Sequence, residues 1–180
     1  MALGATMYVF NVELADSDRG VYETLEIRAA QHPSEAPDYL LTRLLAYCLE
    51  YTDGIGFSKG LSDPDEPTVF VRDLTGALQL WIEIGTPDAE RVHRASKAAP
   101  RVVIYCHKDA ALLASKLAGE KIHRVDALEL YAIDRAFLAD LVRKLDRRMN
   151  FTLTVAERHL YLTVGDETLS CVVERLPVSA

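Results

Sequence analysis

A strand, a helix and a second strand follow one another closely between residues 77 and 106. Residues 77–84 are rich in apolar side chains, and the helix over 88–99 is opened by a Pro-Asp pair and ended by a proline. Residues 101–106 form a nearly continuous apolar run, which is typical of a strand buried in a parallel pair. This order predicts a βαβ unit with a right-handed crossover.

A turn signal at residues 73–76, Asp-Leu-Thr-Gly, joins the first of these strands to an earlier apolar strand at 67–72. The two strands therefore form a predicted β-hairpin. We expect a mixed sheet in which strand 77–84 is central, antiparallel to 67–72 and parallel to 101–106.

The segments on either side also show strand and helix patterns, and Ser34 is a predicted helix N-cap. We expect one compact α/β domain over residues 1–180, with a mixed β-sheet and flanking helices. Its further parts are a β-hairpin at 5–30, a leucine-rich helix from Ser34 to Gly54, a helix at 109–118, a helix capped by Asp134, and a β-meander at 151–156, 159–164 and 167–175.

Composition excludes several classes of protein. The longest apolar runs are far below the roughly 20 residues of a membrane span, and the N-terminus lacks a signal-peptide pattern, so we expect a cytoplasmic protein with no membrane partner. The five histidines and three cysteines show no zinc-binding spacing. With a net charge of −7, binding to nucleic acid would need a local basic patch.

Two groups of carboxylates flank the predicted hairpin. If Asp73 pairs with Gly76, Glu66 lies opposite Glu83, and with a loop one residue longer Asp65 lies opposite Gly85. Both registers place an acid from 65–66 on the face of Glu83, because opposed residues project to one side of a sheet. Asp73 itself is at the tip, where it is a typical turn residue.

Glu83 lies beside Trp81 on a strand that should be internal, where a carboxylate needs a cation, a metal or water. One interpretation is a salt bridge to Arg91, Arg94 or Lys97 of the following helix. The other is a Mg²⁺ site, since Mg²⁺ is usually bound by one or two carboxylates and several waters.

Several short motifs follow one another along the chain: Lys59-Gly-Leu-Ser62, Asp65-Glu-Pro67, Asp73-Leu-Thr-Gly76, Trp81-Ile-Glu-Ile-Gly85, Pro87-Asp88, Arg91 and Lys97, together with His32-Pro-Ser-Glu35 and Arg43-Leu-Leu-Ala46 upstream. This ordered set resembles the YaeQ family of bacterial proteins, over essentially the whole chain.

The resemblance implies a variation of the PD-(D/E)xK nuclease core, here at about 34–106. Pro64-Asp65 matches the first part of that motif and Glu83 matches the second acid. The motif lysine is replaced by Gly85, so Lys97 or Lys59 would have to act in its place.

Two functions remain open at this point. In a Mg²⁺-dependent nuclease, the catalytic residues are Asp65, Glu83 and Lys97, and the metal ligands are Asp65 or Glu66 with Glu83. Lys59, Arg91 and Arg94 then contact phosphates. In a non-catalytic module, the same core binds nucleic acid or a protein partner. A direct ion pair between Glu83 and an arginine favours the module, and a metal held between the acids favours the enzyme.

Overall fold

The structure is a computed structural model that describes residues 4–59, 63 and 65–178. It contains two β-sheets and four α-helices within these residues. In chain order the elements are β1 (Thr6–Asp16), β2 (Val21–Gln31), α1 (Pro37–Leu49), β3 (Ile55–Phe57), β4 (Val69–Arg72), β5 (Leu78–Ile84), α2 (Ala89–Ala98), β6 (Arg101–Cys106), α3 (Ala110–Ala118), a 3₁₀ turn (Val125–Ala127), β7 (Glu129–Ala132), α4 (Arg135–Arg143), β8 (Arg148–Ala156), β9 (His159–Val164), β10 (Glu167–Val172) and β11 (Glu174–Leu176).

The six-stranded sheet confirms the arrangement predicted for the βαβ unit. Its order is β11-β7-β6-β5-β4-β3, so β5 is internal, antiparallel to β4 and parallel to β6. The intervening helix α2 is capped by Asp88, whose side chain accepts a hydrogen bond from the Arg91 backbone N–H at 2.8 Å. Local signals in the sequence therefore fix this part of the fold.

The remaining strands form a separate five-stranded sheet of order β10-β9-β8-β1-β2, which the sequence patterns did not predict as a second sheet. Its two halves, from the beginning and end of the chain, meet where β1 pairs in parallel with β8. The predicted third meander strand at 167–175 is also divided. Its first part, β10, stays with β9, whereas β11 joins the six-stranded sheet beside β7.

Helix α1 lies between the two sheets and is buried on almost every side from Leu40 to Cys48. A helix whose side chains are mostly apolar on every side needs such an enclosed position. It begins at Pro37 after Ala36, and not at the predicted Ser34, whose hydroxyl instead lies 2.8 Å from His32 Nδ1. Among the described helices, none is long and apolar enough to cross a membrane.

Alternation along β5 gives the six-stranded sheet two different buried faces. Leu80, Ile82 and Ile84 face α1 and the main core, whereas Trp81 lies in a second core under α2 and α3. Glu83 is two residues beyond Trp81, so its side chain points to the same side, toward α2. The fold thereby directs a carboxylate into a buried layer.

Candidate functional site

The site is centred on Glu83, near the carboxyl end of β5. This residue is 3% exposed, and its Oε1 accepts two hydrogen bonds. One comes from the indole Nε1 of Trp81 at 2.6 Å, and the other from Nε of Arg91 at 2.8 Å. The carboxylate is thus neutralised by an arginine, which is the first of the two interpretations of the sequence.

Arg91 belongs to the first turn of α2 and uses its remaining nitrogens on the loop before β4. Nη1 donates to the carbonyl oxygen of Asp63 and Nη2 to that of Glu66, both at 2.8 Å. Its guanidinium carbon also lies 5.7 Å from the centre of the Trp81 ring. Arg91 therefore stands between Glu83 and the loop that carries Asp65 and Glu66, where the metal hypothesis places an ion.

Burial and pairing act in opposite directions on this ion pair. Burial raises the pKa of Glu83, and the hydrogen bond and charge of Arg91 only partly offset that effect. Burial lowers the pKa of Arg91, but Glu83 more than compensates, so the guanidinium pKa is raised. The desolvation of Glu83 is large enough that the pair is not a simple source of stability.

Next to the turn the hairpin has the second of the two predicted registers, with Arg72 opposite Leu78, and a bulge then shifts the pairing by one residue. Val69 pairs with Ile82, so continuing the ladder by one residue places Thr68 opposite Glu83. The turn is the longer of the two predicted, because the Asp73 N–H donates to Ala77 O, and the bulge lies between Val71 and Arg72. Asp73 is a turn residue, as predicted, and its side chain accepts from the backbone of Thr75 and Ala77.

The two acids proposed as partners of Glu83 precede β4 and project into solvent. Asp65 is 82% exposed, and its carboxylate lies 3.9 Å from Arg94, which also binds Glu90 at 3.1 Å. Glu66 is exposed and contributes its backbone carbonyl, not its carboxylate, to Arg91. Pro64, the other half of the motif match, lies outside the described residues.

The two candidate lysines are placed differently. A cavity of about 440 Å³ contains the Glu83–Arg91 pair and is also lined by Tyr39, Thr68, Asp88, Glu90 and Arg94. Lys97 is exposed near the end of α2 and does not line this cavity. Lys59 is exposed and lines the adjacent cavity of about 310 Å³ together with Arg91.

This donor set does not fit Mg²⁺. Oε1 of Glu83 is bound by a guanidinium at 2.8 Å, and the Asp65 carboxylate lies near Arg94. Within the described ranges, no group of three or more potential ligands from Asp, Glu, His and Cys comes together. Gly85, at the position of the motif lysine, has φ +89°, a conformation in which any side chain would be strained.

Comparison with known proteins agrees with this fold and motif order. A model of the family described as YaeQ protein matches residues 1–173. The chain belongs to the YaeQ family. It is 32% identical over 164 residues to an uncharacterized YaeQ protein of Salmonella typhi, and 32% identical over 165 residues to that of Escherichia coli, covering 91% of each chain.

Solved YaeQ structures share the architecture. The crystal structure of YaeQ protein from Pseudomonas syringae superposes with a TM-score of 0.86 at 28% identity, covering 96% of both chains. That from Xanthomonas axonopodis pv. citri gives a TM-score of 0.84 at 29% identity, covering 98% of this chain and 99% of the other. The mixed α/β fold is therefore that of the YaeQ family.

Two residues of this YaeQ-family site were not recognised as a pair from the sequence. Arg43, on the buried helix α1, is only 6% exposed and places Nη2 3.0 and 3.2 Å from the two oxygens of Glu35. The same nitrogen donates to Ala30 O of β2 at 2.8 Å. The available signal was an arginine inside an otherwise apolar helical stripe, with an acid eight residues before it.

His107 follows β6 and is another buried polar residue, with an exposed fraction of 5%. Its Nε2 lies 3.8 Å from Asp38, beyond hydrogen-bond distance, and its Nδ1 has no partner among the described residues. Burial lowers the pKa of His107, although Asp38 acts in the opposite direction. The imidazole is thus held in its neutral form.

We expect His107 to make the folded chain less stable in mild acid. Because its pKa is lower in the folded chain than the usual value of about 6.5, the unfolded chain takes up a proton first as the pH falls. The free energy of unfolding should therefore fall as the pH is lowered from about 7.5 to about 5.5. Once the imidazole is fully protonated, the total loss is about 1.4 kcal/mol for each unit of difference between the pKa of His107 in the folded and the unfolded chain.

Urea titrations of His107→Gln across this range should show a smaller dependence on pH than the parent chain. The matched control is His159→Gln, which removes an exposed imidazole and should leave the dependence unchanged. An unaltered pH dependence in His107→Gln would show that other groups cause it.

Proposed function

We propose that this YaeQ-family protein is a non-catalytic binding module that uses a nuclease-like core as its scaffold. The observation that carries the proposal is the position of Arg91, which neutralises Glu83 and binds the backbone of the loop that carries the other acids. A hydrolytic site would need this arginine to leave a buried carboxylate before an ion could enter.

Charge favours a protein partner over nucleic acid. The exposed rim beside the ion pair carries Asp63, Asp65, Glu66, Asp88 and Glu90, and a phosphodiester strand would be repelled by these carboxylates. Lys59, Arg94 and Lys97 are the nearby exposed or half-exposed cations, and Arg94 already lies close to two of the acids. A mixed-charge surface of this kind suits complementary side chains of another protein.

Two measurements test the proposal. Incubation with single-stranded DNA, double-stranded DNA and RNA in Mg²⁺ or Mn²⁺ should give no cleavage, and neither ion should raise the melting temperature. Metal-dependent cleavage that is lost in Glu83→Gln would establish the alternative, a nuclease.

A photo-crosslinking side chain at Lys97, on the exposed face of α2, tests the partner. We expect a discrete adduct in cell extract that is sensitive to protease and resistant to DNase and RNase. The same side chain at Lys116 of α3 is the control and should not give that adduct. A nuclease-sensitive adduct would instead identify nucleic acid as the ligand.

A further inference from the structure

A separate cavity of about 500 Å³ lies between the two sheets, beside the C-terminal end of α1 and the first residues of β5 and β6. Its volume is within the range of small-molecule sites, about 300–1,000 Å³. It shares no lining residue with the cavities around Glu83. This cavity is therefore independent of the proposed binding face.

One part of the cavity wall is apolar and comes from both sheets and α1. Six aliphatic side chains form them: Leu49, Val71, Leu80, Val155, Leu160 and Val173. A ligand that fills the space would bury apolar surface against these groups, at about 25 cal/mol for each Å² removed from water. The body of the ligand should accordingly be apolar.

The inner polar side of the cavity is a hydrogen-bonded network in which Arg101 is shared by two carboxylates. Glu50, which is buried, accepts from Tyr105 Oη at 2.9 Å and from Arg101 Nη1 at 3.0 Å. Arg101 also binds Glu129, through Nε at 2.6 Å. Burial, followed by the nearby Glu50, raises the pKa of Tyr105, so its hydroxyl remains protonated.

The carboxylates on the opposite side of the cavity also have donors. Asp16 is paired with Arg19 at 2.9 Å. Asp18 accepts from the backbone N–H groups of Glu157 and Arg158 at 2.7 and 3.0 Å. No lining carboxylate is thus left needing a cation from a ligand.

Arg158 differs from these residues because its guanidinium N–H groups donate to no acceptor among the described residues. It lies 5.2 Å from the centre of the Tyr131 ring, and the Arg175 guanidinium lies 6.0 Å from that ring. The Asp18 contact holds the Arg158 backbone in the β8–β9 turn, and its side chain lines the cavity.

We propose that this cavity binds a small organic anion with an apolar body. The anionic group, a carboxylate or a phosphate ester, pairs with Arg158, whose planar guanidinium can donate two parallel hydrogen bonds. The apolar body lies against the aliphatic walls that the two sheets contribute. The proposal adds a small-molecule site to the chain and does not depend on the function of the Glu83 face.

Isothermal titration with octanoate, octyl phosphate and 1-octanol tests the proposal and separates the two head groups. Both anions share the apolar body of octanol, and we expect at least one of them to bind about tenfold or more tightly than the alcohol, as a charge-assisted hydrogen bond requires. The preferred anion identifies the head group. Equal affinity for the alcohol, or no saturable binding by either anion, would overturn the proposal.

Arg158→Gln should weaken binding of the preferred anion by about tenfold or more, since this variant loses the charge but remains folded at an exposed position. Arg143→Gln, which changes an exposed arginine on α4, is the matched control and should bind as the parent does. In methyl NMR spectra the anion should shift Leu49, Val155 and Leu160 but not the exposed Leu112. Unchanged affinity in Arg158→Gln, or shifts elsewhere, would contradict the assignment.

Discussion

Replacing Arg91 with methionine is expected to lower the free energy of unfolding by about 3–5 kcal/mol. The change leaves the buried Glu83 carboxylate without this cation and removes the hydrogen bonds from Arg91 to the carbonyl oxygens of Asp63 and Glu66. Arg91 is 19% exposed, so water can replace only part of what is lost. Urea unfolding followed by circular dichroism at neutral pH measures the difference.

The matched control is Arg28→Met, which breaks the Arg28–Glu26 ion pair on the exposed surface of β2. We expect it to cost less than about 1 kcal/mol. If Arg91→Met costs no more than this, Glu83 does not depend on Arg91, and the argument for a non-catalytic site loses its main support.

The double variant Glu83→Gln with Arg91→Met measures how strongly the two charges depend on each other for stability. Burial raises the pKa of Glu83 in spite of the arginine, which indicates that the pair only partly recovers the cost of desolvation. Removing both charges should therefore cost less than the sum of the two single changes, with a coupling energy of about 0.5–3 kcal/mol. Such a result would mean that the two charges act as a pair and that the single variants lose stability because one buried charge is left without its partner.

Local patterns were sufficient for the βαβ unit. The central position of β5 followed from its apolar alternation, the turn before it and the short crossover after it, and α2 begins beside Asp88 as its capping signal predicts. The second sheet had no comparable signal. Its parallel pairing of β1 with β8 joins residues more than a hundred positions apart, so only the folded chain shows it.

The site was predicted in outline but not in its pairing. Sequence spacing identified Glu83 as a carboxylate in need of a partner and named three cations on α2. The choice among them depends on geometry, because the first turn of α2 lies next to the end of β5 and Arg91 is in that turn. One predicted register is present next to the turn but not at Glu83, because a bulge between Val71 and Arg72 shifts the strands and has no distinctive sequence pattern here.

The partner of Arg43 also could not be predicted from local sequence patterns. A helix with an arginine among leucines can expose that side chain or bury it, and the outcome depends on what covers the helix. Because the second sheet encloses α1, the Arg43 guanidinium is buried and lies 5.0 Å from the centre of the Phe57 ring. Glu35 then becomes its necessary partner.

Replacing Glu35 with alanine is accordingly expected to lower the free energy of unfolding by about 3–5 kcal/mol, because it leaves the Arg43 charge buried without a counterion. Arg43 Nε already lacks an acceptor among the described residues, so little remains to compensate for the loss. Glu26→Ala, from the exposed pair on β2, is the matched control and should cost less than about 1 kcal/mol.

Glu35→Ala with Arg43→Met tests the cause of this loss. If the cost comes from an uncompensated charge, removing both groups should be less destabilising than the sum of the single variants. Urea unfolding of all four chains gives the comparison. Additive losses would mean that the two residues stabilise the chain separately, Arg43 through Phe57 and the Ala30 carbonyl and Glu35 through the His32 N–H, and not as an ion pair between α1 and the segment that precedes it.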